Sequence, residues 1–196
     1  MRLRLLFLLL VFAISVPFAA ADSILNLTVN NLGISGNVGT VRLHQGIGGV
    51  EVTLQAKPGF SFKLNGGDIL FNTSASLTGA NISGLTADGV YFPNFSFAGH
   101  GPKPFGSFDY DVRNLMKGTL PHGYVSANTI SFFISGVTVG QMGGFAVHFC
   151  TASGSNCGPR TGFATVGETV PEPGTLSLLG TGIVGLAGLF RRRLLS

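Results

Sequence analysis

Between residues 22 and 168 apolar and polar positions alternate in short runs separated by turn formers. Ile24-Leu-Asn-Leu-Thr-Val29, Val50-Glu-Val-Thr-Leu-Gln55 and Phe60-Ser-Phe-Lys-Leu64 show the period of two that sends successive side chains to opposite faces of a strand. Val90 to Phe97, Phe105 to Val112, Thr129 to Ser135 and Phe145 to Phe149 follow the same rule. Pro93 cannot donate to a ladder, so it marks an edge strand or a bulge. Lys57-Pro-Gly, Asn65-Gly-Gly-Asp and Gly99-His-Gly-Pro punctuate the runs as turns. No segment here carries a helical period, and no fixed-period repeat stands out. Many short strands with regular turn signals predict an all-β domain, an antiparallel β-sandwich or jelly-roll-like fold over residues 22–168.

The two ends follow a different pattern. Arg2 and Arg4 precede an apolar run from Leu5 to Val16, Pro17 breaks it, and Ala19-Ala20-Ala21 follows. This is the layout of a secretory signal peptide over residues 1–21, with Ala19 and Ala21 flanking the peptidase site and cleavage after Ala21. An uncleaved anchor is the alternative; the short core and the small residues favour cleavage. At the other end Gly174 to Phe190 holds 17 residues without a charge. As a helix that run is about 25 Å long, near the lower limit for a transmembrane span. Arg191, Arg192 and Arg193 follow at once, and such a cluster stays cytoplasmic, leaving the domain outside. Pro171 and Pro173 hold the chain extended before the span and place Glu172 at the outer water interface.

Val170-Pro-Glu-Pro173, the apolar run and the arginines together resemble the PEP-CTERM sorting signal of exported bacterial proteins, here over residues 169–196. The resemblance implies recognition by the membrane-embedded enzyme exosortase, with Pro171, Glu172 and Pro173 as the motif and Arg191 to Arg193 as the cytoplasmic stop. It also implies removal of the helix from the mature protein, and an association with extracellular polysaccharide or biofilm matrix. An ordinary C-terminal anchor is the alternative. Gly180-Thr-Gly-Ile-Val-Gly185 fits a dinucleotide-binding pattern, but it lies inside the apolar run instead of between a strand and a helix.

Charge changes its meaning once the ends are set aside. The chain has a formal net charge of +4, but five of its 12 Lys and Arg lie in the two terminal segments. The remaining seven face all eight acidic residues, a balance of −1. That leaves no basic footprint for nucleic acid. The domain is rich in Gly, Thr, Ser, Asn and Phe and poor in helix formers, and most of the 17 Phe are available for a core.

Candidate chemistry is sparse. Cys150 and Cys157 bracket a short loop of turn formers, and export to an oxidising compartment predicts a disulfide. Metal binding by His148 and Cys150 is the rival, short of a ligand. There is no Gly-x-Ser-x-Gly elbow and no His-Glu-x-x-His pair, and His44, His100, His122 and His148 are scattered, His100 and His122 in loop-like surroundings. Asp109 and Asp111 share one strand face, as a solvent-facing pair or a weak calcium site, with Phe108 and Tyr110 inward. Asp68, Asp88 and Glu51 complete the acids that a glycosidase pair could draw on. Tyr91, Tyr110 and Tyr124 are the only tyrosines available for a sugar platform. Asn26, Asn72, Asn81 and Asn94 each open an Asn-x-Ser/Thr triplet, read as turn and strand residues. The expectation is an exported, non-enzymatic surface or matrix protein with a structural or adhesive role and no cofactor. It meets signal peptidase, exosortase and the membrane during processing. A carbohydrate-binding module is the alternative, and an exported hydrolase the third reading.

Overall fold

The computed structural model describes residues 22–64, 68–103, 105–113, 126–151, 157 and 160–170. Among them are thirteen strands and two 3-10 turns, Gly79–Asn81 and Val139–Gln141. The strands are β1 (Asp22–Asn30), β2 (Gly39–Gly46), β3 (Gly49–Ala56), β4 (Ser61–Lys63), β5 (Asp68–Thr73), β6 (Ile82–Ala87) and β7 (Val90–Tyr91). They continue with β8 (Ser96–Lys103), β9 (Gly106–Arg113), β10 (Ser126–Ala127), β11 (Thr129–Ser135), β12 (Met142–Cys150) and β13 (Thr161–Val170). Hydrogen bonds join them in one path, β7-β6-β11-β3-β2-β1-β13-β12-β5-β9-β8, with β4 pairing to β12 and β10. All the pairs are antiparallel.

Chain connectivity shows that this sheet is curled. A flat path of eleven strands would hold its edges nearly 50 Å apart at about 4.8 Å per strand. The two edges are β7 and β8, which are consecutive in the chain and joined only by residues 92–95. Five peptide steps reach at most roughly 18 Å, so the edges must come near each other. The all-β antiparallel expectation holds, but as one sheet curled into a half-barrel instead of two stacked sheets. The reason is that β1, β13 and β12 bond the two halves together. Register shifts in the β1–β13, β6–β11 and β5–β12 pairs supply local bends. Pro93 lies in the crossing between the two edges, where no ladder needs its missing N–H.

The concave face encloses one apolar core. Val50, Val52 and Leu54 of β3 meet Ile130, Phe132 and Ile134 of β11, with Leu27, Val41, Phe62, Phe71, Phe145 and Phe149 from the other strands, all buried. Phe71 stacks on Phe145 at 5.8 Å and lies 5.7 Å from Tyr110, which stacks in turn on Phe97 of β8 at 5.3 Å. Each large side chain so buried contributes about 1.5–3 kcal/mol. A second, small cluster of Leu70, Phe108 and Ala146 packs with Phe105 and Phe163.

Two copies of one device interlock around this core. Leu77-Thr-Gly-Ala-Asn-Ile-Ser-Gly-Leu85 and Val137-Thr-Val-Gly-Gln-Met-Gly-Gly-Phe145 align without a gap. In each, the threonine N–H and hydroxyl donate to the amide oxygen three residues on: Thr78 to Asn81 at 2.9 and 3.1 Å, Thr138 to Gln141 at 2.9 and 3.2 Å. In each, a register shift follows the 3-10 turn, within Ser83–Thr86 and within Met142–Phe145. β5 passes through the first turn into β6, and β11 through the second into β12; β6 pairs with β11 and β12 with β5. The two arches therefore exchange strands about a pseudo-twofold. No period shows in the sequence because two copies with different side chains set none.

Several local expectations change. Gly99 to Pro102 is not a turn: Gly99 pairs with Tyr110, Gly101 with Phe108 and Pro102 with Ser107 in β8, which tolerates glycine and proline as an edge strand. His100 accordingly lies in a strand instead of a loop. The turn comes at Lys103 and Gly106, with Gly106 in the left-handed region at φ +98. Lys57-Pro-Gly does turn, closed by the Phe60 N–H on the Lys57 carbonyl at 3.0 Å, whereas residues 65–67 lie outside the described residues.

Candidate functional site

The final residues of β13 decide where the terminal segments attach. Gly167 to Val170 reads as a fading tether, yet β13 runs to Val170, with Val170 opposite Ile24 and Thr169 opposite Leu25. The strand thus continues past residue 168 through Thr169 and Val170, the residues just before Pro171. Polar residues qualify here because β1 supplies the pairing, which local sequence does not display. Gly167 fits because a side chain there would collide with Thr28.

Asp22 begins β1 at the same end of the sheet. Opposite it is His44, and Ile24 faces Arg42. Arg42 Nη2 donates to Asp22 Oδ2 at 2.6 Å, and His44 Nδ1 lies against Asp22 Oδ1. The Arg42 hydrogen bond, helped by His44, holds the Asp22 carboxyl below the usual carboxylate range, against a smaller opposing effect of burial. His44 also pairs across to Glu51, so Asp22, His44 and Glu51 form one row over three strands. A shallow depression lined by Arg42, His44, Glu51 and Thr53 lies on this outer face. The sequence reading missed this constellation, although the alternation of Thr40-Val-Arg-Leu-His-Gln45 signals a strand with Arg42 and His44 outward.

The other candidates are dispersed. Cys150 and Cys157 form the expected disulfide, with Cα atoms 5.3 Å apart, in the connection from β12 to β13 at the end remote from Val170. His148 stacks on Phe163 at 4.5 Å, and the neighbouring Cys150 is used by the bridge. Asp109 and Asp111 do not make the expected solvent-facing pair. Asp109 is exposed, but its Oδ2 accepts the Thr73 N–H at 3.0 Å. Asp111 is buried opposite Leu70, 3.8 Å from Arg113, because the second apolar cluster covers this part of the outer face. Phe108 belongs to that outer cluster, while Tyr110 packs on the main core as expected.

Asp88 has a left-handed backbone at φ 47, and its carboxylate accepts the N–H groups of Asn128 and Thr129, fastening the turn after β6 to β11. Asn26, Asn72 and Asn81 are likewise engaged, with Asn37, the Asp109 N–H and Ser135. Of the tyrosines, Tyr91 is exposed; Tyr110 donates to the Ala75 carbonyl at 3.1 Å and accepts the Leu77 N–H at 2.8 Å. Tyr124, His122, Ala19, Ala21, Pro171, Glu172, Pro173 and Arg191 to Arg193 lie outside the described residues. Among the described residues no helix is long and apolar enough to cross a membrane, and the 174–190 run is not among them.

Residues 169–193 match the family of the PEP-CTERM protein-sorting motif. Such a motif implies an exosortase substrate, exported as a membrane-anchored precursor and then surface-delivered. No curated protein and no solved structure matches the chain.

Proposed function

We propose that this chain is a non-enzymatic surface or extracellular-matrix protein with a structural or adhesive role. It is exported by a signal peptide cleaved after Ala21 and freed from its anchor by exosortase at Pro171-Glu172-Pro173. The observation that carries the reading is the position of the sorting motif, which starts within the last residues of β13. A domain attached this directly is displayed whole when the anchor is removed, with β1 and β13 still paired. The structural role is supported by how polar groups are used: Asp22, Asp88, Asp109, Asn72 and Asn81 all tie strands or turns together.

The test is the intact mass and cellular location of the protein from its native cells, beside a Pro171-Glu172-Pro173 to Ala-Ala-Ala variant. The wild type is expected to begin at Asp22, end near residue 173 and leave the membrane, while the variant keeps its arginine tail and stays bound. If both keep the tail, the segment is an ordinary anchor and the matrix assignment falls.

A further inference from the structure

The register of three strands sets the level of the β2–β3 hairpin relative to the end of β13. Ile24 of β1 lies opposite Arg42 on one side and Val170 on the other, so Arg42 and Val170 are level. β2 and β13 run in the same direction away from that level. β2 continues four residues to Gly46, about 13 Å at the usual strand rise. There the chain reverses through Ile47 and Gly48, and Gly46 pairs with Gly49. Beside it, four residues lead from Val170 to Gly174, the first residue of the apolar run. Fully extended, they reach at most about 14 Å. The full reach of the tether thus matches the hairpin overhang to within about 1 Å, so the apolar run can begin no further from the sheet than about the level of the hairpin tip.

The tip is also chemically distinct. Gly46, Gly48 and Gly49 present no side chains, with Gly48 at φ +78 as the tight turn demands. Ile47 is their one large group, and it is fully exposed. Ile24, the residue opposite Val170, is also exposed among the large apolar side chains.

We propose that the Ile47 hairpin is a lipid-contacting surface of the precursor, resting in the outer-leaflet interface while the anchor is in place. This rests on the tethered-precursor reading above. One isoleucine does not hold a free domain on a bilayer. With the tether, the tip is kept beside the membrane at high effective concentration. The contact orients the domain with its β1–β13 end down and ceases when the anchor is cut.

The chain contains no tryptophan, so a single introduced indole reports its own surroundings. The Ile47→Trp and Lys57→Trp variants of the full chain, with Lys57 exposed just past the far end of β3, go into phosphatidylethanolamine–phosphatidylglycerol vesicles with and without brominated lipid. A chain ending at Pro173 serves as the untethered comparison. The expected result is blue-shifted, bromine-quenched emission for Ile47→Trp in the full chain only. Unquenched emission at 47 in a chain that floats with the vesicles overturns the proposal while leaving the tether intact. Equal quenching at 47 and 57, or quenching at 47 in the shortened chain, overturns it as well. Failure of the full chain to float removes the tethered reading, and the proposal with it.

Discussion

Val170 lies directly opposite Ile24, so the last described residue of the domain is paired within three positions of the first. The strand that leads to the sorting motif is therefore part of the fold itself. A chain ending at Pro173 should melt as a fully folded domain, whereas one ending at Val166 loses the Thr169 and Val170 pairs with β1 and should melt lower. Thermal unfolding followed by circular dichroism compares the two; equal melting temperatures would mean that the end of β13 adds nothing.

Acid should weaken the same end of the sheet. The Asp22 carboxyl is held low by Arg42 first and His44 second. A carboxyl with a depressed folded pKa adds stability above its unfolded value, near 3.9, and loses that contribution as pH falls through the folded value. The Asp22→Asn variant should thus be less stable than wild type near neutrality and approach it in acid. Urea unfolding at a series of pH values reads this; a difference that does not change with pH would contradict it.

Gly49 occupies a place that no side chain fits, because a Cβ there would strike the backbone carbonyl of Ile134. Gly49→Ala should cost about 1–3 kcal/mol or more, as overpacking does. Gly99→Ala, on open space in β8, serves as the control. Denaturant midpoints for the two variants decide it.

Reduction or replacement of Cys150 and Cys157 should cost about 2–3 kcal/mol, from the chain entropy that a loop of this size restores to the unfolded state. Unfolding with and without dithiothreitol measures the loss, and a Cys150→Ser, Cys157→Ser double variant should be insensitive to the reductant.

Phe71 is fully buried between Phe145 and Tyr110. Phe71→Ala should destabilise by about 3–5 kcal/mol, and the exposed Tyr91→Ala should stay within about 0.5 kcal/mol of wild type. A large loss at Tyr91 would show that the short edge strand β7 contributes more to stability than the exposure of this side chain implies.

Strand identity was legible wherever alternation was strong, as in Val50 to Gln55 and Thr129 to Ser135, because a half-buried strand writes its two faces into consecutive residues. It was illegible in β6 and β13, where Ser83-Gly84 and Gly167 to Thr169 look like loop and become strand only through β11 and β1. The disulfide was legible from cysteine spacing and compartment. The Asp22–Arg42–His44 cluster was not, since its members are 20 and 22 positions apart and meet only through the register of β1 on β2.

By itself the chain determined its sorting motif, its all-β character and its disulfide, since each depends on residues close together along it: a Pro-Glu-Pro corner before an apolar run, side chains of period two, two cysteines around one loop. Only the tertiary structure decided that the strands form one curled sheet, that two arches interlock, that Asp111 is buried, and that the Ile47 hairpin extends past the level of Val170. Those outcomes depend on which strand lies beside which and in what register, and many pairings compatible with the same alternation are separated only by the packing of the whole core.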